Sequence, residues 1–216
     1  MELTKEYIQN LRQDYRSAGL TEADVDKDPI TQFGKWFKEA VEAQLFEPNV
    51  MTLATADQFG KPSARIMLLK GFDENGFVFY TNYDSRKGKM LTANPQVALV
   101  FFWPELERQV RIEGVISKVD EETSTSYFHS RPKGSQIGAV ASTQSSVIAD
   151  KNVIEERVKV LTEEFNEKEV PRPQHWGGYL VEPTYLEFWQ GGSSRLHDRL
   201  VYEKVDGAWA ISRLAP

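Results

Sequence analysis

The sequence contains no cysteine and only three histidines. Without thiols there is no disulfide, no cysteine nucleophile and no cysteine-ligated iron–sulfur cluster. His129, His175 and His197 lie too far apart for the close ligand spacing of a zinc or iron site. No apolar run is long enough to span a bilayer, and residues 1–19 are polar and charged, unlike a signal peptide. The chain therefore reads as a cytoplasmic protein with no membrane partner. Positive charge is also the minority sign: 26 Lys and Arg face 32 Asp and Glu, a formal net charge of −6. That balance argues against general affinity for nucleic acid, so a local cluster of arginines would mean a local anionic ligand. Also missing are GxxxxGK[ST] and a GxGxxG after a strand, which removes the P-loop and the Rossmann fingerprint. Difficult chemistry is left to an organic cofactor or to acid/base side chains.

What is present is an ordinary globular composition, 40% hydrophobic and 27% charged over 216 residues. No linker interrupts it, so residues 1–216 are expected to form one domain, with residues 1–20 as a mobile N-terminal segment. Tyr7, Ile8, Leu11 and Tyr15 give residues 4–17 a short amphipathic stripe. Pro29 opens a second helix over residues 29–46, with Phe33, Trp36, Phe37, Ala40, Val41 and Leu45 on its core side. From Val50 the texture changes to short β-branched and aromatic runs divided by turn signals. Strands are expected at 50–56, 63–70, 77–81, 97–103, 108–118, 178–190, 199–204 and 208–213. About eight strands at hairpin spacing point to a mainly β, antiparallel barrel with helical insertions, and an open sheet covered by helices is the alternative. The insertions are helices at 85–93, capped by Asp84 or Ser85, at 121–130 after Asp120, and at 151–167 after Asp150 with Ile154, Val158, Leu161 and Phe165 as a buried stripe.

Chemistry concentrates in four places. FWQGGSSRLHDRL, residues 188–200, combines aromatics, a Gly-Gly hinge, Arg195, His197 and Arg199. Its loop residues Gly191, Gly192, Ser193 and Ser194 could bring backbone N–H groups close to a ligand, and if the chain is extended the three cationic positions share a face. A solvated hairpin is the plain alternative. RIMLLK, residues 65–70, is an apolar strand with a cation at each end, which is also how a core strand reaches water. In YTNYDSRKGK, residues 80–89, Arg86 and Lys87 occupy the first turn of a helix, where they oppose the macrodipole unless an anion is nearby. In YFHSRPKGSQ, residues 127–136, Tyr127, Arg131 and Ser135 recur every fourth residue around a Pro-Lys-Gly turn, a second candidate anion site. STQSS, residues 142–146, is a donor-rich loop.

These blocks, with LERQVRIEG, HWGGY, EFWQGG and the ending ISRLAP, resemble the pyridoxine (pyridoxamine) 5'-phosphate oxidase family, from LRQDY near the N-terminus to the last residue. The resemblance implies an FMN-binding split β-barrel of Greek-key type. It also implies a homodimer with two FMN sites at the subunit interface. It assigns Arg65, Ile66, Met67, Leu68, Leu69, Lys70, Tyr80, Thr81, Arg86 and Lys87 to FMN, with Gln109, Gln144, Ser145, Trp189 and Arg199 as further contacts. Lys70, Tyr127, Arg131 and Ser135 are implied for the substrate phosphate, and Arg195, Leu196 and His197 for its pyridine ring. Arg12 and Tyr15 match an N-terminal segment that closes over the site. The implied reaction oxidises pyridoxine or pyridoxamine 5'-phosphate to pyridoxal 5'-phosphate with dioxygen, releasing hydrogen peroxide. A flavin reductase on the same barrel, or a non-catalytic FMN or pyridoxal phosphate carrier, are the rivals.

Overall fold

A computed structural model describes residues 4–11, 14–15 and 19–216 of the chain. Arg12, expected at the ligand site, lies outside the described residues. In chain order the elements are α1 (Lys5–Asn10), α2 (Pro29–Glu42), β1 (Val50–Ala56), β2 (Pro62–Leu68), β3 (Gly71–Asp73), β4 (Gly76–Asn82), α3 (Arg86–Ala93), β5 (Gln96–Trp103) and β6 (Arg108–Lys118). They continue as α4 (Glu121–Ser130), α5 (Lys133–Ala141), α6 (Asn152–Glu164), β7 (Trp176–Gln190), β8 (Asp198–Val205) and β9 (Ala208–Leu214). The strand order is β2-β1-β5-β6-β7-β4-β3, with β8 pairing β7 and β9. The β1/β2, β3/β4, β4/β7, β7/β8 and β8/β9 pairs are antiparallel. Among the described residues no helix is long and apolar enough to cross a membrane.

The chain divides into two compact units. One comprises Met1–Pro48, Val100–Ile112 and Tyr185–Pro216, the other Asn49–Leu99 and Glu113–Thr184. In the first unit α2 starts on Asp28, whose carboxylate accepts from the Thr31 N–H, with Pro29 in the first turn. Its buried face carries Phe33, Trp36 and Ala40. Phe33 meets Phe101 edge-on at 5.1 Å, and Trp36 meets Phe188 at 5.2 Å. Buried aromatics of this size each contribute roughly 1.5–3 kcal/mol of burial, so this face fixes the helix on the strands. Val41 was expected on that face but is 51% exposed, and the helix ends at Glu42 rather than at 46. Gln44 and Glu47 take left-handed backbone (φ 55° and 46°), which a continuing helix cannot accommodate.

In the second unit the core of Met51, Leu53, Phe77, Phe79, Tyr179 and Val181 is drawn from alternate strand positions. A separate cluster of Phe128, Ile137, Val170 and Trp176 lies under α4 and α5. Two elements were absent from the sequence reading. The three-residue β3 is one, and α5 is the other, in a stretch read as a Pro-Lys-Gly turn. Pro132 is in fact the N-cap of α5, and Ile137 and Ala141, four apart, are its buried apolar positions beside the buried Gln136. The helix α6 spans 152–164, and its stripe residues are half-buried rather than buried.

Candidate functional site

The start of α3 is built on conflict. Ser85 is the cap, its Oγ accepting from the Gly88 N–H at 3.2 Å. Gly88 is obligatory there, because a Cβ would lie 2.0 Å from the Tyr83 carbonyl oxygen. No acidic residue occupies the first turn. By contrast α4 opens with Glu121 and Glu122 behind Asp120, as the macrodipole favours. Arg86 and Lys87 take those positions in α3 instead. Lys87 is only 9% exposed, and its ammonium donates to Gln144 Oε1 at 3.1 Å and Ser85 Oγ at 3.4 Å. Burial, then the nearby Arg65 charge, push it down from its usual range to about 8. On β2 the Arg65 guanidinium donates to the Leu53 carbonyl, Thr55 Oγ1 and Ser63 Oγ, each at 2.9 Å. It is lowered by burial and by the charge of Arg86. Arg65 and Lys87 donate to neutral acceptors, Arg86 is exposed, and among the described residues none of the three forms an ion pair with a carboxylate. An anion beside them would offset the mutual repulsion of these charges.

A cavity of about 670 Å³ adjoins this corner, lined by Ile66, Met67, Leu68, Lys70, Tyr80, Thr81, Lys87 and Gln144 on one side. Tyr127, Arg131, Ser135 and Trp176 line it too, so the second expected anion cluster and Lys87 of the first open onto one space, whereas Arg65 and Arg86 do not line it. Leu69, just past the end of β2, is buried at 4% exposure and, like Arg65, is not a lining residue. A second cavity of about 640 Å³ is lined by Arg86, Lys89, Gln144 and Ser145 among others. Gln144 therefore borders both.

Arg131 caps the C-terminus of α4 with extended backbone (φ −76°, ψ 151°). Its carbonyl is gripped by Gln136 Nε2 at 2.8 Å, a contact that sequence reading missed. Its guanidinium lies 4.6 Å over the Trp176 ring. Tyr80 and Tyr127 stack at 3.8 Å, and Tyr127 and Trp176 are within 7° of parallel. Trp176 also went unassigned in the sequence; its signal was the HWGGY block, an aromatic held between a turn and two glycines. Arg131 Nη1 is buried with no hydrogen-bond partner, and burial lowers the group's pKa. A guanidinium nitrogen left unpaired in a protein interior is costly, and an anionic acceptor in the cavity would satisfy it.

The remaining candidates belong to the other unit. The loop after β7 is not extended through 195–199 as the alternation suggested. Residues Ser193–Arg195 form a short 3₁₀ turn, in which Ser194 and Arg195 are both left-handed (φ 54° and 63°). Three of the four loop amides expected to be open to a ligand already donate within the protein. The N–H groups of Gly191, Gly192, Ser194 and Leu196 donate to Glu107 O, His197 Nδ1, Asp14 Oδ1 and Ser193 O. Gly192 is needed for this closure, since a Cβ would sit 2.2 Å from the Leu196 carbonyl oxygen. Because a backbone N–H can only donate, His197 Nδ1 accepts and the neutral ring carries its proton on Nε2. The His197 ring lies 4.6 Å from Trp189, with Tyr15 edge-on to both. Arg195 and Leu196 are exposed, and Gln109 is half-buried on β6.

Arg199 is held firmly. Its Nε and Nη2 donate to the two oxygens of Glu187 at 2.9 and 3.1 Å, and Nη1 donates to the Ala215 carbonyl. Glu187 is 1% exposed and also accepts from Arg111 and Tyr185. Burial alone would raise its carboxyl, but the hydrogen bonds from Arg199 and Tyr185 outweigh it and hold the group below the usual range. Among the described residues no group of three or more His, Asp or Glu side chains could hold a metal ion.

With this geometry in view, residues 37–164 match the family model described as pyridoxamine 5'-phosphate oxidase. Residues 176–216 match the pyridoxine 5'-phosphate oxidase C-terminal dimerisation region. The pyridoxine/pyridoxamine 5'-phosphate oxidase of Acaryochloris marina is 54% identical over 213 residues, 99% of this chain and 97% of that protein. The protein of the same description from Burkholderia thailandensis is 58% identical over 212 residues, 97% of this chain and 99% of its own. Among solved structures, PhzG from Burkholderia lata, in complex with tetrahydrophenazine-1-carboxylic acid, aligns with a TM-score of 0.87 at 30% identity, covering 92% of this chain and 98% of that one. A pyridoxamine 5'-phosphate oxidase-related, FMN-binding protein from Nostoc punctiforme aligns at 0.67 and 15% identity, covering 84% and 96%, a likeness of fold alone. The split-barrel fold class expected from the sequence is borne out by these likenesses.

Proposed function

The chain belongs to the pyridoxine/pyridoxamine 5'-phosphate oxidase family, and on that premise we propose that it oxidises pyridoxine 5'-phosphate and pyridoxamine 5'-phosphate to pyridoxal 5'-phosphate with FMN and dioxygen. The observation that carries the reading is the buried, unpartnered Arg131 Nη1 on the wall of a cavity that also takes in Lys70, Tyr127 and Ser135. These four would hold the substrate phosphate, which carries roughly −1.5 to −2 charge near neutral pH. Arg65, Arg86 and Lys87 would hold the FMN phosphate, with Gln144 and Ser145 beside them. Residues 66–70, Tyr80 and Thr81 would border the flavin, and Gln109, Trp189 and Arg199 would complete its contacts. The fit to FMN rests on three clustered cations with no carboxylate ion pair among the described residues and a helix start lacking acidic residues.

FMN, when bound, supplies the two-electron acceptor for a hydride from substrate C4', and dioxygen restores its oxidised form with release of hydrogen peroxide. The protein's own residues bind and orient. The Arg195 guanidinium and the His197 Nε2–H would place the pyridine ring and stabilise charge at its 3-hydroxyl oxygen. Pyridoxine phosphate loses two hydrogens in the overall reaction; the amine also consumes water and releases ammonia. The match to a dimerisation region supports a homodimer, and we assign its two FMN sites to the subunit interface. We treat residues 1–216 as one split-barrel flavoprotein domain acting in the cytoplasm.

The likeness to PhzG at 30% identity offers a second reading, oxidation of a carboxylated tricycle. The phosphate reading is favoured by identities of 54–58% to relatives described as pyridoxine/pyridoxamine 5'-phosphate oxidases over nearly the whole chain. The test is the visible spectrum of FMN-loaded protein before and after anaerobic pyridoxine 5'-phosphate. Bleaching that reverses in air with formation of the aldehyde is expected. A flavin that stays oxidised with both phosphorylated substrates would overturn the reaction.

A further inference from the structure

The turn that carries Arg195 is built against its own backbone preference. Ser194 and Arg195 are consecutive non-glycine residues with positive φ, although Gly191 and Gly192 stand just before them. Each such residue costs on the order of 1–2 kcal/mol relative to ordinary backbone. A turn of this kind persists only where its surroundings over-determine it. Three hydrogen bonds here arise within the loop or from the adjoining strand connection: Gly191 to Glu107, Gly192 to His197 and Leu196 to Ser193. None of them is made by a strained residue. The amide of Ser194 itself donates to Asp14 Oδ1 at 3.0 Å, across 180 positions of sequence. Asp14 is followed by Tyr15, whose ring sits edge-on to Trp189 and His197, and whose Cβ and Cγ crowd the space a Gly191 Cβ would take.

We infer that Asp14 is a positioning residue for Arg195: its carboxylate, docked by Tyr15, holds Ser194 in the left-handed turn from which Arg195 meets the substrate. The inference rests on the proposed role of Arg195 in binding the phosphorylated substrate. Without Asp14 the loop relaxes, and substrate must pull it back into the strained form at each encounter. Apparent affinity then falls by the fraction of enzyme still holding the turn, while the bound complex, once formed, is unchanged. The signature is a raised KM with kcat preserved. A second consequence is specific to strain. Glycine adopts positive φ without penalty, so replacing Ser194 by glycine removes part of the need for Asp14.

The experiment compares FMN-saturated wild type, Asp14→Ala, Asp14→Asn, Ser194→Gly and the Asp14→Ala/Ser194→Gly double variant. KM and kcat for pyridoxine 5'-phosphate are read alongside equilibrium binding of pyridoxal 5'-phosphate by absorbance. For Asp14→Ala both KM and the product Kd should rise about five- to tenfold, the scale of one intramolecular hydrogen bond. Asp14→Asn, which keeps an acceptor oxygen, should stay near wild type. The double variant should recover part of the loss. Wild-type KM and Kd in Asp14→Ala would overturn the inference, as would a defect that Ser194→Gly leaves untouched. Wild type that neither turns over the substrate nor binds the product would instead overturn the proposed function on which the inference rests.

Discussion

Two sets of arginines in this chain behave in opposite ways. Arg199 and Arg213 each grip carboxylates: Arg199 bonds Glu187, and Arg213 bonds Glu22 and Asp198. Their guanidinium pKa values are raised, by Glu187 for the first and by Glu22 and then Asp198 for the second. Arg65 and Arg131, with Lys87, are lowered by burial, and none of the three has a carboxylate ion pair among the described residues. The first set is internally complete. The second has no such partner among the described residues, and two of its members, Lys87 and Arg131, line the cavity that we propose takes the anionic ligands. The sign of the pKa displacement thus follows whether a carboxylate lies beside the cation.

The sharpest way to break that contrast is to remove one member of each set and compare stability. Glu187→Ala leaves Arg199 and Arg111 without their buried carboxylate, and by analogy with other broken buried pairs it should cost about 3–5 kcal/mol in chemical denaturation. Arg131→Met removes a buried charge that lacks its counterion, so the ligand-free protein should be as stable as wild type or slightly more so. Equal destabilisation by both would erase the distinction. In function the order reverses. Arg131→Met should raise KM for pyridoxine 5'-phosphate about 100-fold, the loss of charge-assisted bonds worth roughly 2–3 kcal/mol. FMN affinity, followed by quenching of flavin fluorescence, should hardly change. Loss of flavin with substrate affinity kept would mean that the two anion clusters are exchanged. Arg86→Ala, at an exposed position, should weaken FMN by about tenfold and leave KM near wild type at saturating FMN.

The smallest effect is a pH dependence. Lys87 titrates near 8 in the ligand-free fold, below its ordinary 10.5. Between those values the unfolded chain binds the proton and the folded one does not, so this group makes the ligand-free protein more stable as pH rises through the window. Tyr179, pushed up to about 12, works against this above pH 10, because the unfolded phenol ionises first. For FMN the sign is opposite to that of Lys87 on stability. The phosphate needs the ammonium, so Kd should be flat from pH 7 to 8 and then rise by up to about tenfold per unit. A Kd that is flat to pH 9.5, or one unaltered by Lys87→Met, would remove Lys87 from the phosphate site.

The sequence carried the strands well because period-two alternation survives in β6, which matches its expected bounds of 108 and 118. It carried α4 equally well, because Asp120 is a true cap and two acidic residues follow. It hid α5, where Gly134 and Gly138 depress helix propensity and the Pro-Lys-Gly signal suits a turn as well as a helix start. The cationic clusters were legible as residue types. Their state was not, since whether an arginine has a carboxylate depends on which strand lies beside it. Glu187, two residues before Trp189, gave no sign that it would claim Arg199. The left-handed Ser194–Arg195 pair was equally invisible, because nothing in the residue types asks for positive φ once two glycines have passed.

The central claim is that the Arg65, Arg86 and Lys87 corner exists for a phosphate. The most direct test is to titrate the flavin-free protein with FMN and, separately, with riboflavin, which has the same ring system and no phosphate. FMN should bind at least about 100-fold more tightly, the worth of two or more charge-assisted contacts. Equal affinity for the two flavins would contradict the claim.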